Sequence, residues 1–420
     1  MPRWQPISNS SIPPIESSIQ QSKFTKQSPT PSIGRSAIRN PDTTAYPVPV
    51  TPPSVIVIGA GIVGCTIAHQ LARSGARVRV IETRQPGQGA TRASAGILAP
   101  YIEGHESAVL RTLGRRSLDQ FDSFIAGLRV GSGHDVVYQR NGTFELAFED
   151  ADVDRLTALS AVLTSSGIDN RWVPPHAFGD YEPSASTAAR GALFIATHGF
   201  VGVTSVTLAA AAAAERLGAS ITTETGAIQV HSLPAGRVGV ESAGVSWDAD
   251  RVVLAAGSWS SQISVEGADR VPVKPIRGQL IQLQAEQGTL RRVIWGPTGY
   301  LVPWPDGTVL AGSTVEDVGF DERHTDEGVQ SLRSTAAALA PSLADAPMTA
   351  VRTGLRPRGP DDLPILGHSA AVPGLIYATA HYRNGVMLTP LTVQLVDDLV
   401  FDRAGDPALR DLDPARHGRL

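Results

Sequence analysis

The alternation of apolar and polar positions divides the 420-residue chain into a head without period and a body with two kinds of it. Residues 1–53 are rich in Ser, Thr and Pro and repeat at neither the strand nor the helix period, so they read as a disordered tail too poor in large hydrophobes to fold alone. At residue 54 the pattern changes abruptly. "SVIVI" is a short β-branched run that reads as a buried strand, the next stretch through "CTIAHQLARSG" reads as a helix, and "ARVRVIE" reads as a second strand ending in Glu82. Further on, "ESAVLRTLGRRSLDQFDSFIAGL", "DVDRLTALSAVLTSSG" and "GVQSLRSTAAALAPSLA" have helical spacing. "VPVKPIRGQLIQLQ" and "RRVIWGPTGYLVP" are β-branched and alternating, which suits a largely antiparallel sheet, and Pro305-Asp306-Gly307 reads as a hairpin turn. Near the end, "GLIYATAH" reads as a strand and "GVMLTPLTVQLVDDLV" as a helix.

Composition narrows the function classes. With 42% hydrophobic and 5% aromatic residues, a chain of this length buries a sizeable core, expected over two domains. A net charge of -4 without long blocks of like charge speaks against a nucleic-acid partner. The apolar stretch "VTLAAAAAAERLGA" is broken by charge before it reaches the length of a membrane span, so no transmembrane segment is expected. The single cysteine, Cys65, rules out an intrachain disulfide or a multi-cysteine metal site, fits a reducing, cytoplasmic setting, and reads as a small core hydrophobe. In the tail, five basic residues against two acidic ones give a weak transit-peptide flavour, and no apolar region makes it a secretory signal. The sequence holds no Ser-His-Asp, metal-ligand or paired-carboxylate constellation, and no metal is expected.

The chemistry begins at Gly59-x-Gly61-x-x-Gly64, between the first strand and its helix. Glycines there permit a tight turn, close approach of backbone to a pyrophosphate and close helix–strand packing, while the helix N-terminus offers N–H groups to the anion. Glu82 lies 18 residues beyond Gly64, where an acid can accept bonds from a ribose hydroxyl. The Gly/Ala/Ser/Thr segment "TRQPGQGATRASAGILAP" that follows suits a chain lying flat against an extended cofactor.

That segment carries a resemblance. "GATRASAGILAP" resembles the second flavin-contacting segment of the glycine oxidase and D-amino-acid oxidase family of FAD enzymes. "DRVVLAAGSWSS" resembles the family's strand and turn near the adenine end of FAD, "GYLVPWPDGTVLAGSTVEDVGF" its antiparallel substrate-domain strands, and "VRTGLRPRGPDDLPILG" with "ATAHYRNGVMLTPLTVQLVDDLV" its C-terminal signature. The likeness runs from about 54 to 404. It implies an α/β fold with an α+β second domain: a Rossmann-like FAD-binding domain from 54–103, 198–262 and 351–404, a substrate domain from 104–197 and 263–350, and a C-terminal tail at 405–420. It implies FAD contacts from Gly59, Gly61, Ile62, Val63 and Gly64, from Glu82 and Thr83, from Ala90, Thr91, Ser94, Ala95, Gly96 and Ile97, and from Ala227 and Gly257. Backbone N–H groups of His381, Tyr382, Arg383, Asn384, Gly385, Val386 and Met387 would face the flavin ring, where charge develops on reduction.

The resemblance also assigns catalytic residues. The arginine of "GLRP", Arg356, would clamp a substrate carboxylate bidentately, Tyr300 would hydrogen-bond the same carboxylate, and Arg383 would stand beside the flavin. Arg358 competes with Arg356, because two residues along an extended chain share a face and geometry alone separates them. Each also admits a plain role: a solvated charge for Arg356, a junction ion pair for Arg383, a packed ring for Tyr300. Thr298 stands where glycine oxidase carries a histidine, which weakens strict glycine specificity. No cysteine lies near "GLRP" and no histidine in "GATRASAG", so the FAD should be non-covalent.

The implied activity is oxidation of the carbon–nitrogen bond of a small amino acid (glycine, sarcosine or a D-amino acid) to an imine and then an α-keto acid. Electrons would pass to oxygen in an oxidase or to another acceptor in a D-amino-acid dehydrogenase, with a homo-oligomer possible. Glycine oxidase activity would place the chain in thiamine biosynthesis. An FAD-binding protein that no longer turns over amines is the alternative of another class.

Overall fold

The computed structural model describes residues 52–103 and 107–420; the tail expected over 1–53 lies, apart from Pro52 and Pro53, outside the described residues. The β-branched run forms β1 (Ser54–Ile58), the next stretch α1 (Ile62–Arg73) and "RVRVI" β2 (Arg77–Ile81). β1 lies between parallel neighbours, β2 on one side and Arg251–Leu254 on the other. A strand buried on both faces has no polar side to show, hence the unbroken apolar run, with Val57 fully buried. The full order is Ile365–His368, Leu375–Thr379, Arg251–Leu254, β1, β2, Ser220–Thr222, a six-stranded sheet parallel except where its first two strands pair antiparallel.

The α1 helix turns Cys65, Ile67, Ala68 and Leu71 inward, all at most 1% exposed, and packs against the helices Val203–Arg216 and Thr389–Val400. Truncating one such side chain, as in Leu71→Ala, costs about 2–5 kcal/mol in transfer and cavity terms. Burial pushes the Cys65 thiol up to about 12, so it packs as an inert small hydrophobe.

A second, eight-stranded sheet is built around four long-range partners: β3 (Lys274–Gln284), β4 (Gly299–Pro303), β5 (Thr308–Gly312) and β6 (Met348–Arg358). Its order is β6, β3, β5, β4, Val293–Gly296, Thr143–Ala147, Gly191–Ile195, Asn170–Val173. Every pairing is antiparallel except Val293–Gly296 with Thr143–Ala147. The turn at Pro305-Asp306-Gly307 joins β4 to β5: Gly307 adopts φ 85°, open to glycine, and the Asp306 carboxylate accepts from the Thr308 N–H at 2.9 Å. The stretches with helical spacing form Ala108–Leu118, Phe121–Ser132, Asp150–Ser165 and Asp326–Leu339. The last is capped by the Thr325 hydroxyl, which accepts from the Gly328 N–H at 3.1 Å, and buries Leu332, Ala336 and Leu339 against this sheet.

The helix expected from Gly385 starts later. Residues 385–388 form turns, and α2 (Thr389–Val400) begins with Pro390 in its first turn, where the missing N–H breaks no helical bond. Residues 405–420 return to the six-stranded sheet, where Leu412 and Leu420 are buried and the Ala371 N–H donates to the Leu420 carbonyl at 3.1 Å. Among the described residues, no helix is long and apolar enough to cross a membrane, and no group of His, Cys, Asp and Glu is placed to hold a metal ion.

Candidate functional site

A cavity of about 590 Å³ opens between the two sheets, lined from the carboxyl end of β1 to the middle of β6. At its first end the wall is backbone. Gly59 takes φ 107°, and a Cβ there would lie 2.5 Å from the Ala255 carbonyl oxygen; a Cβ on Gly64 would lie 1.9 Å from the Gly59 carbonyl oxygen. Gly64 therefore presses α1 onto the turn and does not itself line the cavity, whereas Gly59 and Gly61 do. Gly61 caps α1 without a side chain, and the first turn of the helix contains no acid, so its amide end keeps its positive character. The Ile62 N–H donates to the Thr91 hydroxyl at 3.1 Å, which fixes the second Gly/Ala/Ser/Thr segment across the helix start.

Glu82 ends β2 with its carboxylate already oriented: one oxygen accepts from the Ala60 N–H at 2.7 Å, the other from the Arg84 N–H at 2.9 Å. Gly96, at φ 76°, could not carry a Cβ, which would meet the Val201 carbonyl oxygen at 1.9 Å. A narrow glycine-lined turn, a helix amide end and a preset acid along one elongated cavity fit the pyrophosphate and ribose of a dinucleotide. Thr83, Ala90, Thr91, Ser94, Ala95, Gly96, Ile97, Ala227 and Gly257 line the same cavity.

At the other end the wall is side chains on strand pairs. Ile276 of β3 opposes Arg356 of β6, and Gly278 opposes Gly354. The guanidinium of Arg356 lies over Gly278, where a Cβ would come within 2.3 Å of it. It donates to the Ser313 hydroxyl at 2.8 Å and to the Thr314 carbonyl at 3.0 Å. Tyr300 of β4 is buried, tilts against the Trp295 ring at 5.0 Å, and occupies the space that Gly312 of β5 leaves open. Both Arg356 and Tyr300 line the cavity. Arg358 does not: its guanidinium is held on the surface by both Asp362 oxygens, at 2.7 and 3.1 Å. The geometry thus separates the two arginines that the sequence left open.

The third wall is the turn after Leu375–Thr379. Ala380 and Tyr382 adopt φ 59° and 47°, a conformation costly for residues other than glycine and held here by surrounding bonds. The Tyr382 N–H donates to the Pro357 carbonyl at 2.9 Å, which ties the turn to β6. His381 points inward and shares a hydrogen bond with the Thr392 hydroxyl at 3.0 Å; burial lowers its pKa to about 4, so it is neutral. His381, Tyr382, Arg383, Gly385 and Val386 line the cavity, while Asn384 and Met387 do not. The expected row of N–H groups is also partly engaged, since those of Tyr382 and Asn384 already donate to Pro357 and His381 carbonyls.

Sequence reasoning left several lining residues unnamed as contacts: Arg84, Trp259, Ser313, Gly278 and Thr379. Arg84 and Trp259 had local signals, one two residues past Glu82 and the other inside "AGSWSS". Ser313 and Gly278 had none, because only the pairing of β3, β5 and β6 brings them to Arg356.

Residues 54–399 match the family described as FAD dependent oxidoreductase. A glycine oxidase from Geobacillus kaustophilus is 31% identical over 348 residues, covering 82% of this chain and 92% of that protein. The crystal structure of glycine oxidase from that species superposes with a TM-score of 0.82 at 29% identity, covering 87% of this chain and 99% of that one. The crystal structure of an iminodiacetate oxidase from Chelativorans sp. BNC1 superposes with a TM-score of 0.79 at 27% identity, over 86% of this chain and 98% of that one.

Proposed function

The chain belongs to the FAD-dependent oxidoreductase family, and from that premise we propose that it oxidises the carbon–nitrogen bond of a small amino acid such as glycine, sarcosine or a D-amino acid. The observation that carries the reading is Arg356, lodged over Gly278 on the cavity wall with Tyr300 on a nearby strand, across from the glycine turn. A planar fork of donors fits a carboxylate, and its supports hold it in one place before substrate arrives. Non-covalently bound FAD would supply a two-electron acceptor for the hydride that leaves the α-carbon.

The protein's own part is binding and orientation. Gly59, Gly61, the amide end of α1 and Glu82 hold the dinucleotide, and the turn from His381 to Val386 forms the wall beside the reacting ring. Arg356 and the Tyr300 hydroxyl bind the substrate carboxylate, which points the α-carbon toward that ring. Arg383 adds positive charge beside it. With the amine neutral no strong base is needed: the hydride leaves, an iminium forms, and water converts it to an α-keto acid and ammonium, or methylammonium where the amine is N-methylated. Residues on and around the six-stranded sheet take the cofactor role in this assignment, and those of the eight-stranded sheet the substrate role. Its small partners are the amino acid and oxygen or another electron acceptor, and its setting is the cytoplasm.

The test uses purified protein under anaerobic conditions. Glycine, sarcosine, D-alanine, D-proline and L-proline are added in turn, and bleaching of the flavin absorbance by at least one of them is the expected result. A yellow protein that none of them bleaches would instead support the reading as an FAD-binding protein without amine turnover. Reoxidation by air or only by a dye separates oxidase from dehydrogenase.

A further inference from the structure

Residues 313–325 leave β5 beside Arg356 and reach the opposite end of the cavity wall. Ser313 and Thr314 accept from Arg356. Six residues beyond Thr314, the ring of Phe320 lies 6.0 Å from that of Trp259. Glu322 then places one carboxylate oxygen 2.8 Å from the Arg84 guanidinium and the other 3.6 Å from that of Arg92. The Arg84 guanidinium lies over the Trp259 ring at 4.5 Å. Arg84 and Trp259 line the cavity, whereas Phe320 and Glu322 do not; they stand behind the two residues that do. The loop that carries them is fixed at its base, where fully buried Gln279 donates to Glu316 at 2.7 Å and accepts from the Thr325 N–H at 2.9 Å.

Arg84 follows Glu82 by two residues, so its guanidinium belongs to the end of the cavity where an acid after the second strand meets a ribose. A flexible arginine on a partly open surface samples many rotamers, and a flat, fixed one forms a wall on which a planar base or an anionic group can rest. We propose that Glu322 and Phe320 are positioning residues for the cofactor: they hold Arg84 flat on Trp259, and the pair retains the adenosine end of the bound dinucleotide. This rests on the reading that the cavity takes FAD. It assigns to a loop of the eight-stranded sheet a role in keeping a cofactor whose main contacts come from the other sheet.

The test is the rate at which flavin leaves the full-length holoenzyme, followed as free flavin fluorescence after dilution. Glu322→Gln and Phe320→Ala are each expected to release FAD about three- to tenfold faster than the unaltered protein, the range for losing a partly exposed ion pair or ring contact. Added salt should speed release from the unaltered protein more than from Glu322→Gln, since screening acts on the ion pair that the variant lacks. Arg323→Ala, on the same loop but with a side chain bonded to Asp321, should release FAD at the unaltered rate. Thermal midpoints of the flavin-free proteins should agree among all four. Unchanged release in both variants overturns the proposal, and so does faster release that tracks a lowered midpoint of the flavin-free protein, which marks a merely structural role. Unaltered protein that takes up no FAD overturns the reading beneath the proposal and the proposal with it, a result distinct from equal release rates.

Discussion

The two ends of the cavity are built by different means. Around the six-stranded sheet the wall is backbone shaped by missing side chains, and its fixing bonds are short in sequence: 22 residues separate Ala60 from Glu82 and 29 separate Ile62 from Thr91. Around the eight-stranded sheet the wall is side chains, and Arg356 is fixed by Arg277, Thr314 and Ser313, which lie 79, 42 and 43 residues away. A wall of backbone tolerates no added atoms but few of its side chains speak to the ligand. A wall of side chains can be rewritten one residue at a time, because the strands beneath keep their register. On the proposed assignment, cofactor binding and substrate choice are therefore expected to respond to different mutations, apart from those in the loop that carries Phe320 and Glu322.

The largest effect should come from the side-chain wall. If Arg356 pairs with the substrate carboxylate, Arg356→Ala leaves that charge unpartnered in a half-buried site, which costs about 3–5 kcal/mol, or roughly a hundred- to several-thousand-fold in kcat/KM. Arg356→Lys keeps the charge and loses the fork, so it should fall between. Flavin content should stay near normal in both. Loss of flavin in Arg356→Ala would break the division between the two walls.

One methyl group on each side sharpens the contrast. In Gly64→Ala the new Cβ would lie 1.9 Å from a main-chain oxygen, so helix and turn must part; a loss of about 3 kcal/mol in stability with most of the bound flavin is expected. In Gly278→Ala the new Cβ would meet the end of the Arg356 side chain, which can swing aside. That variant should fold and hold flavin while kcat/KM falls about ten- to a hundredfold through misplacement of the clamp. Thermal unfolding, flavin absorbance and steady-state kinetics on the two variants check both halves.

The same contrast decides what could be read from the sequence. Gly59, Gly61, Gly64 and Glu82 announce themselves by spacing, since a turn, a helix start and a strand end are local events. Helices with clear spacing came out as helices, and the long alternating runs as antiparallel strands. The start of α2 was misplaced because the apolar pattern runs on through residues 385–388, and only Pro390 hints that the first turn begins later. Ser313 and Gly278 were illegible, and the preference for Arg356 over Arg358 came from the resemblance of "GLRP" and not from any pattern along the chain: each depends on which strand lies beside which, a fact that no local window contains.

Acid should weaken both regions, each through one buried histidine. His381 shares its bond with Thr392 of α2, and His198 shares one with Thr143 of the eight-stranded sheet at 2.8 Å. Burial lowers their pKa values to about 4 and about 3. Each therefore binds a proton in the unfolded chain before it does in the folded one, so stability rises with pH across this window and is lost as pH falls below about 6.5. Between pH 6.5 and 5 each group should cost about 1.6 kcal/mol, the slope rising toward about 1.4 per pH unit as the unfolded histidine becomes fully protonated. Urea unfolding at those two pH values checks it: His381→Gln and His198→Gln should each flatten the slope by about one proton, and a variant with the full slope would show its histidine already charged in the fold.

The smallest effect belongs to Arg358, and its smallness is the point of comparison with Arg356. The two are neighbours on β6, carry the same charge and share a face in a regular strand, yet only Arg356 lines the cavity. Arg358 pairs with Asp362 four residues on, has a side chain 47% exposed, and lies 5.2 Å from the centre of the Tyr382 ring. Solvent screens such a pair and the long side chain loses entropy in making it, so Arg358→Ala should lower stability by no more than about 1 kcal/mol. Its backbone bridges His381, which the substitution leaves in place, and its side chain meets Tyr382, whose backbone is independently held by Pro357. The expected kcat/KM is therefore within about twofold of the unaltered enzyme, with flavin content unchanged. A loss in Arg358→Ala as large as in Arg356→Ala would mean that the carboxylate is read at the surface end of β6, and the clamp would have to be moved there.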